Sequence, residues 1–383
     1  MTTNPASPSE ATAALPAQAT RFHFMDAARA MFMLFGIPFH AALPFTVLPW
    51  VIHADRHSDA LEIVPLTLSE FRLPGFFLIA GFFAALLLER RAPREWMANR
   101  VQRLGLPLLA GMVTIVPLQD YLLTQATGGN PLDRGDWSQG LLSHLWFLPV
   151  LLYMCAILAV CWPIVRRIKV PDVPVVWLVA GYAVWTLGTI FAVNNAYTIL
   201  RPLGGLIDFA AVLIYGPFFA WGVAVRRNPL AFARLLRPSL LMAIIGLLAL
   251  SLSIALPNDG SHFDVARGYA LDAMSSVALV QVVMAAAARF LNRESPLVRK
   301  LVDASLTIYL VHHPIIIGLV ALSAGMALSP FPAWAAICVL TLGLSYGIHS
   351  LLRRSPLLLY LFNGVKPKDR RERAEGVVAP AQS

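Results

Sequence analysis

Ten apolar runs govern what this chain can become. Residues 24–48, 64–88, 102–118, 144–162, 175–193, 208–225, 238–256, 269–289, 302–322 and 332–352 are each long enough to cross a hydrocarbon core of about 30 Å. Backbone N–H and C=O groups find no water at that depth, so each run must be helical and close its own hydrogen-bond ladder. A mean hydropathy of +0.67 with only 13% charged residues leaves too little polar side chain to cover a water-soluble surface. The expected fold is all-α, a polytopic membrane protein of about ten transmembrane helices.

Charge placement orients the bundle, because short cytoplasmic loops retain Lys and Arg. With the N-terminus inside, only Arg56, Arg134, Arg201 and Arg267 fall in outer segments, and Arg29 and Arg72 within spans; the rest of the 30 basic residues lie on the inner side. This alternation runs through every loop, so both termini are expected in the cytoplasm. The net charge of +9 is then an orientation signal, and nucleic acid is not an expected partner. Membrane lipid is one, and a homo-oligomer is left open.

Residues 1–20, rich in Ala, Thr, Pro and Ser, have neither a positive n-region nor a short apolar core, and read as a disordered leader. Residues 21–363 form one membrane domain, and 364–383 a basic cytoplasmic tail beside anionic lipid. Cys155, Cys161 and Cys338 lie in apolar runs without metal-ligand spacing and are expected to pack as small hydrophobes, with no metal site and no disulfide framework.

Ionisable residues inside spans are costly and face a bundle interior or a wet cavity. Arg29 and His40, eleven residues apart in the first run, lie only about 20° apart around a helix and roughly 16 Å apart along it. Asp26 shares their face. Pro38 is expected to loosen the helix by freeing a carbonyl one turn earlier. A neutral imidazole can take a proton from a hydroxyl and return it, which suits His40 to acyl transfer. Arg29 can bind a donor's phosphate or carboxylate with Asp26 holding its guanidinium, or the two can form a purely structural pair.

The second run enters from outside and places Glu70 and Arg72 at a depth comparable with His40. Glu70 can orient the imidazole and Arg72 can steady an oxyanion or an acceptor, or both can simply pin helices. Arg100 and Arg103, at the inner mouth of the third run, can clamp phosphates of a nucleotide-bearing donor. His144 and Trp146 open the fourth run at the outer rim, where Trp146 also suits an interfacial anchor. His312 and His313 precede Pro314 about 100° apart on the ninth, an arrangement better suited to hydrogen-bonded polar packing than to a metal.

Taken together, Arg29 and His40 with ten residues between them, Arg72-Leu73-Pro74, Ser143 through Leu148, Ser305 through Pro314 and Ser355 through Pro367 resemble the acyltransferase 3 family of integral membrane acyltransferases. The likeness is closest to its glucan biosynthesis protein C branch and covers roughly residues 21–367. It implies a catalytic His40 with Arg29 as companion, Arg100 and Arg103 as donor-binding residues, and a bacterial inner-membrane location. The branch implies succinylation of osmoregulated periplasmic glucans, with acyl-CoA, as succinyl-CoA, serving as co-substrate and no tightly bound cofactor. His144, Trp146, His312 and His313 are then expected to meet the glucan acceptor. Two alternatives stay open: an O-acetyltransferase acting on another surface glycan, and a flippase or proton-coupled carrier. The carboxylate that separates succinyl from acetyl has no partner that sequence alone can name.

Overall fold

A computed structural model describes residues 22–128, 142–203 and 206–365. The expected leader, almost all of the basic tail and the loop bearing Arg134 lie outside the described residues. Among those described there is no strand, and nine helical spans are long and apolar enough to cross a membrane. A tenth follows if Pro229–Leu236 and Leu240–Ala255, which meet at 64°, count as one bent span. The expected count of about ten is met.

The first span is broken where proline chemistry requires it. Helix α1 (His23–Leu34) stops and α2 (Gly36–Ala42) begins beyond Phe35, because Pro38 cannot donate to the Leu34 carbonyl one turn earlier. Helix α3 (Asp59–Leu88) is longer than its apolar run and absorbs Pro65 and Pro74. The third span differs most from expectation. It is continuous from Pro93 to Thr127, as α4 (Pro93–Arg100), a π-helical turn (Val101–Gly105) and α5 (Leu106–Thr127).

A 3-10 turn, Ser143–Trp146, leads into α6 (Phe147–Val165), followed by α7 (Val175–Asn195), α8 (Phe209–Arg227), the bent pair α9 (Pro229–Leu236) and α10 (Leu240–Ala255), and α11 (His262–Phe290). Helices α12 (Pro296–Leu322), α13 (Pro330–Leu352) and the short α14 (Pro356–Asn363) close the bundle.

The most extensive helix pair is α3 with α8, and glycine explains why. A Cβ on Gly81 would lie 1.9 Å from the Phe219 carbonyl oxygen, and one on Gly222 would lie 1.8 Å from that of Leu78. The two backbones touch where side chains are missing, the close approach that small residues permit inside membranes. Around this crossing Phe32, Phe77, Phe82 and Phe218 are fully buried. Conversely Val160, Val184, Phe191, Leu240 and Val339 stand exposed at 72–80%, an apolar girdle suited to lipid. Cys155 is buried as expected, whereas Cys161 is exposed on the girdle and Cys338 half-buried; all three are free thiols.

Candidate active site

Most of the candidate polar residues line one of two cavities at opposite ends of the same helices. One, of about 460 Å³, sits where α1 begins, α3 ends, α12 begins and α13 ends, and is lined by Arg29, Arg100, Arg103, Asp303, His349 and Arg353. Arg29 leans toward the Phe83 ring, its Cζ 5.7 Å from the centroid, and keeps an ion pair with Asp26 (Nη2–Oδ1 3.6 Å). Asp26 does not line the cavity, so it holds the arginine from behind.

Trp96 supports Arg100 in the same way, with Cζ 5.8 Å from its ring centre. Arg103 belongs to the π-helical turn, a local widening of the kind that recurs at functional sites. Gly364, in the left-handed conformation that ends α14, packs onto that turn so closely that a Cβ there would fall 2.6 Å from the Cα of Arg103. Gln102 donates to the Gly364 carbonyl at 3.3 Å. Gly364 and Val365, read from sequence as the start of the tail, therefore belong to this cavity and its wall.

The second cavity, of about 650 Å³, collects His40, Arg72, His144, Trp146, His312 and His313. Four imidazoles crowd together there. The His40 ring lies 5.3 Å from His312 and 5.0 Å from His313, and it stacks on Trp50 at 5.1 Å. The His144 ring stacks on His313 at 4.6 Å.

Three of the four have their N–H assigned by a fixed acceptor. His312 Nδ1 donates to the Tyr309 carbonyl (2.7 Å) and His144 Nε2 to the Leu310 carbonyl (2.9 Å). His313 Nδ1 donates to Gln119 Oε1 (2.7 Å), whose amide is set by its own bond to Ser143 Oγ (2.7 Å). The opposite nitrogens of His312 and His144 are left as acceptors without a partner, as is Nδ1 of His40 unless it carries the proton. Tyr309 Oη donates to the His144 carbonyl (2.6 Å) and ties α12 to the turn before α6. Of these four, His40 is the one whose ring no hydrogen bond to another described side chain or backbone group constrains, which leaves it geometrically suited to exchange a proton with a bound hydroxyl. Among the described residues no three His, Cys, Asp or Glu side chains converge as metal ligands.

Most of the residues expected to cooperate are thus brought together, but Glu70 is not. Its Oε2 accepts from Ser275 (2.8 Å) and Ser276 (3.0 Å) on α11, away from His40. Equal depth misled here: residues two apart on a helix point about 200° apart, so Glu70 and Arg72 cannot serve one cavity. His312 and His313 diverge less and both reach it.

Several lining residues were not among the candidates read from the sequence, although Tyr309 and Asn363 lie within the stretches that carry the family resemblance. His349, Asp303 and Asn363 join the arginine cavity, and Trp50, Tyr215 and Tyr309 the histidine cavity. Among the described residues Phe147 alone lines both. Its ring is 4% exposed and lies 4.8 Å from Phe76 and 5.7 Å from Tyr309, so it stands as the partition between the two.

A family model described as an acyltransferase domain, Acyl_transf_3, matches residues 22–350. The chain is also similar to proteins named glucans biosynthesis protein C, 28% identical over 93% of this chain and 98% of the relative, both in Escherichia coli (strain K12) and in Shigella dysenteriae serotype 1 (strain Sd197). No solved structure matches it.

Proposed function

The chain belongs to the acyltransferase 3 family of membrane acyltransferases, and from that premise we propose that it moves a succinyl group from cytoplasmic acyl-CoA to a hydroxyl of a periplasmic glucan. The observation that carries this reading is the two-cavity interior with Phe147 as its partition. One cavity is basic and lies at the end that charge distribution assigns to the cytoplasm of a bacterial inner membrane. The other holds the histidines at the opposite end, where a glucan would arrive.

In this reading Arg29, Arg100 and Arg103 receive the phosphates of the donor, and its pantetheine arm threads past Phe147. The arm must cover the distance from Arg29 to His40, eleven residues of the first span or roughly 16 Å. His40 then accepts the proton of the sugar hydroxyl as that oxygen bonds to the thioester carbon. The carbon–sulfur bond breaks and the proton passes to the departing thiolate, leaving an ester outside and free CoA inside. Trp146, stacked on Tyr215 at 6.1 Å, offers an aromatic wall to the faces of sugar rings beside His144, His312 and His313.

Purified protein given labelled succinyl-CoA and a linear glucan oligosaccharide should yield labelled ester in proportion to enzyme. A carrier would move solute and leave no ester, and label transferred only from acetyl-CoA would make the chain an acetyltransferase instead.

Two variants probe the route. Arg100→Ala and Arg103→Ala should each raise KM for acyl-CoA by about tenfold while lowering kcat less, since a phosphate contact is lost without touching the reacting atoms; unchanged KM in steady-state kinetics would remove the donor from this cavity. Phe147→Trp should lower kcat by about tenfold by enlarging the partition, with acyl-CoA binding retained in calorimetry, because the arm is blocked beyond the phosphate site. Equal kcat in Phe147→Trp would mean that the arm takes another path.

A further inference from the structure

Sequence leaves the free carboxylate of a succinyl donor without a partner, and among the described residues the histidine cavity contains a cation without one. Among the described residues two guanidinium groups line that cavity, Arg72 and Arg201. Arg201 is taken: its Nε lies 3.3 Å from Asp208 Oδ2 as an ion pair without hydrogen-bond alignment, and its Nη1 donates to Tyr197 Oη. Asp208, the only carboxylate among the described lining residues, is thereby used up, and it further caps α8 through the Ala211 N–H at 2.8 Å.

Among the described residues Arg72 has no such partner. Glu70, its near neighbour in sequence, is turned to Ser275 and Ser276. The Nε of Arg72 is buried and makes no hydrogen bond. What holds the group is shape: its Cζ sits 4.3 Å over the Phe39 ring, and its Nη1 occupies space that a side chain at position 36 would need, 3.1 Å from where a Cβ on Gly36 would stand. The same empty Gly36 position lies 3.4 Å from Nε2 of His312, an acceptor without a partner.

A guanidinium kept at bilayer depth with an unused donor and no counter-charge is costly, and the cost is recovered when an anion binds. We propose that Arg72 seats the free carboxylate of a dicarboxylic acyl group, so that this cavity selects a succinyl-type thioester over a neutral acyl thioester of similar length. The proposal rests on the acyl-CoA reading above and adds to it the residue that chooses the donor.

Reach agrees with this. A succinyl group carries its carboxylate three carbon–carbon bonds beyond the thioester carbon, on the order of 4 Å. Phe39 bridges the two stations, its ring centre 4.3 Å from the Arg72 Cζ and 4.8 Å from the His40 ring. With the thioester carbon beside His40, a four-carbon acyl chain can run along the Phe39 ring and end on the guanidinium. There the buried Nε–H and an adjacent Nη–H form the fork that takes a carboxylate by two parallel bonds. An acetyl or butyryl group would leave that fork empty, and a site built around a buried polar contact rejects a ligand that cannot make it.

The test uses full-length protein in detergent with a linear glucan oligosaccharide, comparing succinyl-CoA with butyryl-CoA, which matches its chain but lacks the charge. The unaltered protein should favour succinyl by at least about a hundredfold in kcat/KM. In Arg72→Met that ratio should collapse to within about tenfold, whereas Arg72→Lys should keep part of it. Equal use of the two thioesters by the unaltered protein would overturn the proposal without a variant. So would an Arg72→Met protein that loses both activities by the same factor, the signature of an oxyanion contact. If neither thioester is transferred at all, the acyl-CoA reading itself fails, a result distinct from lost preference.

Discussion

Replacing His40 with alanine is expected to lower succinyl transfer by about a thousandfold at matched levels of folded protein. The size follows from what the site offers. Of the four imidazoles in the cavity, His144, His312 and His313 are committed through one nitrogen to the Leu310 carbonyl, the Tyr309 carbonyl and Gln119. Those bonds also tie α12 to the turn before α6 and to α5, so these three rings build the site's walls. His40 stands on α2 just beyond the break at Phe35, stacked on Trp50 and in edge contact with His313. In the proposed mechanism removing it deletes the base and leaves the walls in place, so acyl-CoA binding, which that mechanism assigns to arginines in the other cavity, should stay within a few-fold. Initial rates of ester formation with a binding isotherm check both halves. A His40→Ala protein that transfers at the normal rate would remove the base from this mechanism.

The largest effect on stability is expected at the α3–α8 crossing. Gly81→Ala puts a carbon 1.9 Å from the Phe219 carbonyl oxygen, and backbone, unlike a flexible side chain, cannot rotate away. The helices must separate, and the packed aromatic set around Phe77, Phe82 and Phe218 opens with them. A loss on the order of 4 kcal/mol or more is expected, at the upper end of what single substitutions do. Gly216→Ala provides the control. It lies on the same α8, but a Cβ there meets nothing within 4 Å, so the change should be neutral or mildly stabilising. Thermal unfolding in detergent, followed by the fraction remaining monodisperse, compares the two. Equal melting temperatures for both variants would mean the crossing is looser than described.

Hydropathy and proline chemistry carried the architecture a long way: the span count and the break before Gly36 follow from local rules. What those rules do not contain is which helix stands beside which. Glu70 shares a depth with His40, yet the 200° between it and Arg72 sends it to Ser275 and Ser276, an interface no periodicity announces. Phe147 is one apolar residue in an apolar helix, and only the meeting of α3, α6 and α12 makes it a partition. His349 and Asn363 reach the arginine cavity from the far end of the chain, where the Gly364 turn docks on the Arg103 backbone. The π-helical turn Val101–Gly105 escapes a hydropathy reading, although Gly105 lies in it and Pro107, two residues on, cannot donate to the Arg103 carbonyl.

Sidedness tests the central claim most directly. Full-length protein is reconstituted in sealed liposomes with linear glucan oligosaccharide inside and labelled succinyl-CoA outside, and trapped glucan is recovered and weighed by mass spectrometry. Molecules oriented with the arginine cavity outward should build succinyl ester on the enclosed glucan while CoA is released outside, and His40→Ala liposomes should build none. Ester formed only when donor and glucan share a compartment, or labelled donor accumulating inside without ester, would contradict transfer through the bundle.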